Sequence, residues 1–189
     1  MFSDYLSLGL DHILDTNGYD HILFIATLCA FYVPSQWKKI LILVTAFTIG
    51  HSLTLALSAL EMVNISPTLI ETLIPITIIL TGLFNILASR KSASSQENIY
   101  LNYLIALGFG LIHGLGFSNY FKAILGTEES IIQPLFAFNI GVEIGQVVIV
   151  AIVMTMAFVL INILKAHKKY WTIPMSILGI VVATYLLFR

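Results

Sequence analysis

Charged side chains are scarce in this chain of 189 residues. Only 10% of the residues are Asp, Glu, Lys or Arg, whereas 58% are hydrophobic. A soluble domain carries about 25% charged residues, so a chain this poor in charge cannot cover a surface that faces water. The composition therefore predicts an integral membrane protein.

Cysteine and excess positive charge are also missing. Cys29 is the single cysteine, which excludes an intramolecular disulfide and a CxxC metal or redox motif. The net charge is −1, whereas a surface that binds nucleic acid needs a basic stripe. We therefore expect no nucleic-acid partner.

Long apolar runs are what the sequence has in abundance. A helix that spans a membrane needs about 20 mostly apolar residues, and charged or Pro-, Ser- and Asn-rich interruptions divide the chain into runs of that size. We predict an all-α polytopic membrane protein, with six transmembrane helices in one bundle and a single domain over residues 1–189. The predicted spans are approximately 17–34, 39–61, 68–89, 98–117, 132–164 and 170–188. The first has only a short strictly apolar stretch, and the fifth is long enough to be tilted, or broken near Gly141 or Gly145.

The basic residues predict how this bundle is oriented. Seven of the nine Lys and Arg residues follow spans one, three and five: Lys38, Lys39, Arg90, Lys91, Lys165, Lys168 and Lys169. By the positive-inside rule these loops are cytoplasmic, and both termini are then external. Nine of the ten acidic residues fall in the external half, all except Glu97. This predicts an external mouth that attracts cations, although short external loops that need charge for solubility are a simpler explanation for Asp4, Asp15, Glu128 and Glu129.

Several ionisable residues lie within or beside the predicted spans, near one membrane face. They are Asp20, His21, His51, His113 and Glu143, with His12 and Glu71 close by. A charge at the centre of a bilayer costs about 2.5–3.5 kcal/mol, so we expect a chain that keeps several at one depth to use them together. At a rise of about 1.5 Å per residue, these side chains can meet in the outer half of the bundle.

Imidazoles with one or two carboxylates suit a divalent transition metal such as Zn²⁺, Ni²⁺, Cu²⁺ or Fe²⁺, and suit Ca²⁺ or Mg²⁺ poorly. We therefore predict a metal site whose ligands are Asp20, His21, His51, His113 and Glu143. The residues predicted to support these ligands are His12, Ser52, Glu71, Asn139 and Gln146. Simpler readings stay open for three of the ligands, since Asp20 can cap a helix and His51 and Glu143 can form structural hydrogen bonds.

Two pairs of glycines lie in the same spans as the predicted ligands. Gly110 and Gly114 in span four, and Gly141 and Gly145 in span five, have the small-xxx-small spacing that lets helices approach closely. We expect spans four and five to pack tightly and to bring His113 and Glu143 together. Ordinary helix packing is the alternative explanation for the glycines alone.

Four segments occur in a characteristic order. They are Gly18-Tyr-Asp20-His21-Ile-Leu-Phe24, Thr45-Ala-Phe-Thr48-Ile-Gly-His51-Ser52-Leu-Thr54-Leu55, Phe109-Gly-Leu-Ile-His113-Gly-Leu-Gly-Phe117 and Phe138-Asn139-Ile-Gly-Val-Glu143-Ile-Gly-Gln146. In these segments the chain resembles the HupE/UreJ family of small membrane proteins, particularly its second branch. The chain departs from the better-studied branch in two respects. Seven residues, instead of five, separate His12 from Asp20, and span four has one histidine where that branch has two.

The resemblance implies a nickel or cobalt permease, linked to hydrogenase and urease maturation, in a bacterial inner (plasma) membrane. It also implies that Asp20, His21, His51, His113 and Glu143 handle the metal. The expected partners are a metal ion and membrane lipid, and the sequence identifies no protein partner.

Binding and uptake of a divalent transition metal is thus the leading functional hypothesis. The inner half offers Thr45, Asn85 and Ser89 but no acidic or histidine relay, so facilitated movement along a gradient is the most that the sequence supports. The alternative is an intramembrane metal-dependent hydrolase or transferase for a lipid or lipid-linked substrate, with Glu143 or Asp20 as the base. Such a zinc-type enzyme would use a metal-bound water of pKa near 7. A third hypothesis is a structural or metal-sensing role.

Overall fold

A computed structural model describes residues 2–16, 18–90, 99–126 and 130–188. Several positions used in the sequence predictions lie outside the described residues: Asn17, Lys91, Glu97, Asn98, Glu128, Glu129 and Arg189. The described residues form seven α-helices and no strand, so the all-α prediction is confirmed for this part of the chain. The helices are α1 (Phe2–Leu14), α2 (Asp20–Cys29), α3 (Trp37–Ala59), α4 (Pro67–Arg90), α5 (Ile99–Leu125), α6 (Ile132–Phe158) and α7 (Lys169–Leu187).

Five helical stretches are long and apolar enough to cross a membrane. They are Pro34–Ala59, Pro67–Arg90, Ile99–Leu125, Ile132–Ile163 and Lys169–Leu187. They correspond to predicted spans two to six, which makes the chain a multi-pass membrane protein. Helix α6 is continuous through both Gly141 and Gly145, and a π-helical turn at Val159–Ile163 follows it.

The first predicted span contains only the short helix α2. Its ten residues extend for about 15 Å, half of a hydrocarbon core of about 30 Å. Helix α1 lies entirely before that span and packs along α6. A Cβ atom at Gly9 would meet the carbonyl of Phe138, and one at Gly141 would meet the carbonyl of Leu6. The count of six crossings and the external N-terminus stay predictions.

Helix α5 packs along α3, whereas α6 packs along α1 and α3. Gly110 and Gly114 of α5 face the backbone of Phe47 and His51 in α3. The expectation that spans four and five pack tightly against each other is therefore wrong. The glycine spacing correctly predicts a close approach, but a groove lined by glycine can accept any helix, and the sequence does not show which one fills it.

The end of α2, the second half of α4 and the start of α7 lie together. The hydroxyl of Thr172 donates to the carbonyl of Ala30 at 2.8 Å, and the side-chain amide of Asn85 donates to the carbonyl of Thr27 at 2.7 Å. The ammonium of Lys168 lies 4.4 Å from the centre of the Phe31 ring. Because Lys168 and Lys169 are located here, we call this end of the bundle the lysine end.

Candidate metal centre

Four imidazoles from four helices meet where the chain passes from α1 to α2. His12 lies in the last turn of α1 and His21 in the first turn of α2, whereas His51 lies in α3 and His113 in α5. The ring centre of His21 is 4.6 Å from that of His12, 5.8 Å from that of His51 and 5.1 Å from that of His113. His51 and His113 are fully buried, and His21 is 3% exposed. The helix packing therefore brings together histidines that are up to 101 positions apart in the sequence.

The ligand atoms form two groups that share His21. One group is His12, His21 and His51, and the other is Asp20, His21 and His113. Within each group, one ligand atom from every residue lies within 4.8 Å of the others. Oδ1 of Asp20 is 3.4 Å from Nδ1 of His21. Since nitrogen ligands bind transition metals at about 2.0–2.1 Å, small adjustments of these side chains suffice to surround an ion.

Most of the imidazole nitrogens in this cluster have no hydrogen-bond partner. The buried unpaired atoms are Nε2 of His12, both ring nitrogens of His21, both ring nitrogens of His51 and Nδ1 of His113. A buried polar atom that lacks a partner is costly, and such atoms are rare in folded proteins. Six of them in one cluster indicate a ligand that the chain itself does not provide, and a metal ion fits the chemistry of this donor set.

Phenylalanine rings enclose the imidazoles. Phe138 stacks on His51 with an angle of 14° between the ring planes, and the ring of Phe117 is centred 3.9 Å from that of His12. Phe24 and Phe47 are each centred 5.1 Å from His113. This apolar enclosure excludes water and so strengthens electrostatic interactions between the cluster and a bound ion. Nothing in the sequence marked this enclosure, because phenylalanines are common in membrane helices.

Threonine 77 is a second feature that sequence reasoning missed. Its Oγ1 lies 3.0 Å from Nε2 of His113, and it donates its own proton to the carbonyl of Ile74 at 2.7 Å. Metal-binding histidines usually have such a partner for the nitrogen that faces away from the metal.

Glu143 lies in a separate polar contact between α6 and α3. Its carboxylate accepts hydrogen bonds from Thr45 at 2.5 Å and from Thr48 at 2.7 Å. The Thr48 hydroxyl also lies 2.9 Å from Oε1 of Gln146, and Thr48 is one helical turn from His51. Because Glu143 belongs to neither group of ligand atoms, its direct binding of metal stays a prediction.

The residues predicted to support the ligands have varied positions. Ser52 donates to the carbonyl of Thr48 at 2.6 Å, and Glu71 is exposed near the start of α4. Oδ1 of Asn139 and Nε2 of Gln146 are buried without a hydrogen-bond partner. His12 was predicted to support the ligands, but it contributes a ligand atom to one of the two groups and is therefore a candidate ligand itself.

The signal for His12 was present in the sequence as a repeat. Asp-His-Ile-Leu occurs at residues 11–14 and again at residues 20–23. The histidines of the two copies, His12 and His21, lie in the same cluster. A cavity of about 620 Å³ lies against His12, and its lining includes Asp11, Asp15 and Tyr120. Its two carboxylates can raise the local concentration of a cation beside the imidazoles.

A family model described as HupE / UreJ protein matches residues 1–189, the whole chain. No curated protein and no solved structure matches the chain. The family is linked to nickel and cobalt transport, and the His and Asp groups of the cluster are placed to bind a metal ion.

Proposed function

Since the chain belongs to the HupE/UreJ family over its whole length, we propose that it is an uptake protein for a divalent transition metal ion, with Ni²⁺ or Co²⁺ as the substrate. The observation that carries the proposal is the cluster of six buried imidazole nitrogens without hydrogen-bond partners. The proposed ligands are His12, His21, His51, His113 and Asp20. Glu143 of α6 is a further candidate, because it contacts Thr48, which lies one turn from His51 in α3.

The path of α1 and α2 supports this function. Gly9 of α1 faces Phe138 of α6, and Ile13 faces Gly145, so α1 runs parallel to α6. Helix α2 continues to the lysine end, where Thr27 meets Asn85. We propose that α1 and α2 together form the first of six crossings, interrupted at the metal centre. Interrupted helices near the middle of the membrane form the substrate sites of many transporters.

The proposed orientation places the lysine end in the cytoplasm of a bacterial inner membrane, and both termini outside. A cation would then reach His12 from the external side through the cavity that Asp11 and Asp15 line. The imidazoles and Asp20 would replace the water that the ion loses. Since no step of this route requires a nucleotide, movement along the concentration gradient is the mechanism proposed.

Uptake of Ni²⁺ and Co²⁺ by vesicles that contain the purified protein tests the proposal. We expect uptake above that of protein-free vesicles, and we expect His51→Ala to abolish it. His167→Ala is the matched control, because His167 lies at the lysine end outside both ligand groups. Equal metal uptake by protein-free and protein-containing vesicles would refute the transport function.

A cavity that faces the side of the bundle favours one second candidate, an intramembrane metalloenzyme. This cavity of about 690 Å³ lies between α2, α4 and α5, and its mostly apolar lining includes Leu28, Phe84, Ile105 and Phe109. A lipid chain suits such a lining, and Asp20 or Glu143 would act as the base. Elemental analysis of protein purified without chelators separates the two functions. An enzyme should retain one tightly bound metal ion, usually zinc, whereas a transport site should release its ion on dialysis.

A further inference from the structure

Helix α4 carries a buried polar side chain on every turn between the metal centre and the lysine end. Successive members of this row are four residues apart and so lie on one face of the helix. They are Thr77, Thr81, Asn85 and Ser89. Thr77, Thr81 and Asn85 are buried, and Ser89 is half-buried. The row extends over about 18 Å at 1.5 Å per residue, which is more than half of a hydrocarbon core of about 30 Å.

Helices α2 and α7 contribute polar groups to the same face. The amide of Asn85 donates to the carbonyl of Thr27 at 2.7 Å and to Oγ of Ser176 at 3.2 Å. One turn from Ser176, the hydroxyl of Thr172 donates to the carbonyl of Ala30 at 2.8 Å. We call this set the polar seam; its members are Thr27, Thr77, Thr81, Asn85, Ser89, Thr172 and Ser176.

The seam begins at the metal centre itself, because Oγ1 of Thr77 contacts Nε2 of His113. A separate buried polar contact, between Thr48 of α3 and Gln146 of α6, lies one turn from His51. Beyond it, towards the lysine end, the described buried residues of these two helices are apolar. Helix α3 buries Ile40, Leu43 and Val44, and the second half of α6 buries Ile149, Val150, Val153, Met154 and Ala157. The buried polar groups that extend as far as the lysine end are thus those between α2, α4 and α7, in a row that starts at the proposed ligand His113.

The oxygens of the seam suit the passage of a cation better than its tight binding. The hydroxyl of Thr81 donates its proton to the carbonyl of Thr77 at 2.8 Å, and that of Thr27 to the carbonyl of Leu23 at 2.8 Å. Each oxygen therefore keeps lone pairs for a cation. No member of the seam carries a charge or an imidazole, so an ion that enters it is bound weakly and can leave, as conduction requires.

We infer that the polar seam is the inward route of the metal ion, which moves from His113 past Thr77, Thr81 and Asn85 to the lysine end. This inference rests on the proposed uptake function. It provides the path through the inner half that the sequence analysis did not find. Asn85 joins the three helices of this route, because it contacts both α2 and α7, and Gly82 and Gly179 let α7 approach α4 and α2 closely.

The test is Thr81→Val, which removes one hydroxyl from the seam at nearly constant volume. Thr155→Val is the matched control, because the Thr155 hydroxyl makes the same bond, to the carbonyl of Ala151 at 2.7 Å, on an exposed face of α6. We expect the initial rate of Co²⁺ uptake by vesicles to fall about tenfold for Thr81→Val, corresponding to a barrier higher by about 1.4 kcal/mol. The Co²⁺ affinity of the purified variant should be unchanged, and Thr81→Ser should retain the wild-type rate.

A second variant, Asn85→Leu, separates passage from helix packing. We expect it to abolish uptake and to leave Co²⁺ bound at the histidine cluster. If Thr81→Val transports Co²⁺ as fast as Thr155→Val does, and Asn85→Leu lowers only thermal stability, the seam is structural and the inference is wrong. If the wild-type protein transports no metal while it still binds Co²⁺, the uptake function itself fails, and that outcome is distinguishable from a seam that is not the route.

Discussion

Nε2 of His113 lies 3.0 Å from Oγ1 of Thr77, and this contact determines which nitrogen of His113 is available to a metal. The Thr77 hydroxyl has one proton, which it donates to the carbonyl of Ile74. Its oxygen must therefore accept the proton of Nε2. The lone pair of a neutral His113 is then on Nδ1, which is also the buried nitrogen without a partner. The hydrogen-bond network thus makes Nδ1 the candidate ligand atom of His113.

Thr77→Val should weaken metal binding although Thr77 is not a ligand. Without the acceptor, Nε2 of His113 is left unpaired. The ring proton of His113 is then no longer held on Nε2, so it can occupy Nδ1 and block the nitrogen that would bind the metal. Loss of such a partner costs about 10–100-fold in metal affinity. Competition with a chelating dye measures the affinity of the purified protein for Co²⁺.

Two further variants serve as controls for Thr77. Thr77→Ser keeps the acceptor and should restore the affinity. Thr72→Val removes a hydroxyl from an exposed position of the same helix and should leave affinity unchanged. Equal affinities of Thr77→Val and the wild-type protein would contradict the assignment of Nδ1.

His21→Ala should affect metal binding more than any other single substitution in the cluster. His21 is the residue that the two groups of ligand atoms share, so its loss leaves neither group with three ligands. We expect affinity to fall by at least about 100-fold, the upper end of the range for supporting residues. Titration with Co²⁺, followed by its visible absorption, measures both the affinity and the change in coordination.

The comparison with His12→Ala shows whether both groups are used. That variant leaves Asp20, His21 and His113 in place and should retain part of the binding. A result in which His21→Ala binds Co²⁺ as tightly as His12→Ala does would contradict the shared role of His21.

The helices of this protein were predictable because the bilayer imposes a simple requirement on length and polarity. Spans two to six follow from apolar runs alone, and the five long helices match them. The first span was harder to predict. Its apolar stretch is short, and the amphipathic start of the chain showed no sign that α1 packs into the bundle instead of lying outside it.

The residue types of the candidate metal centre were predictable from the sequence, but their contacts were not. Asp20, His21, His51 and His113 are conspicuous because ionisable groups are rare in hydrocarbon, and the structure brings them together. The neighbours of Glu143 in α6 depend on which helix packs into the glycine groove of α5. The sequence does not determine that helix, because the packing of the whole bundle decides it. The seam residues Thr81 and Asn85 are visible in the sequence at a spacing of four, but threonines are common in membrane helices and so gave no signal of their own.

Gly110→Ala should destabilise the protein, whereas Gly108→Ala should not. A Cβ atom at Gly110 would meet the backbone of Phe47, but one at Gly108 would have no atom within 4 Å of it. Forcing α5 away from α3 is an overpacking change, which costs about 1–3 kcal/mol. The midpoints of thermal unfolding of the two variants in the same detergent compare their stabilities. Equal midpoints for the two would show that α5 and α3 do not depend on this close approach.

Glu143→Gln tests the one predicted ligand that lies outside both groups. If Glu143 binds metal directly, as the sequence predicts, the substitution should lower Co²⁺ affinity about as much as His51→Gln does. If its carboxylate instead serves to hold α6 to α3 through Thr45 and Thr48, metal affinity should persist and thermal stability should fall. Measuring both quantities on the same sample distinguishes a ligand from a structural contact.

Added metal should stabilise the purified protein, because a bound ion would satisfy imidazole nitrogens that are otherwise buried without partners. At a free concentration 100 times the dissociation constant, binding contributes about 2.7 kcal/mol, which corresponds to a rise in the unfolding midpoint of about 5–10 °C for a chain of this size. Imidazole ligands favour Ni²⁺, Co²⁺ and Zn²⁺ over Ca²⁺ and Mg²⁺, so only the first three should raise the midpoint, and a chelator should reverse the effect. The same ions should leave the midpoint of His21→Ala unchanged. A rise caused equally by Ca²⁺, or a rise that survives in His21→Ala, would mean that the cations act at another place, such as the carboxylates of Asp11 and Asp15, and not at the histidine cluster.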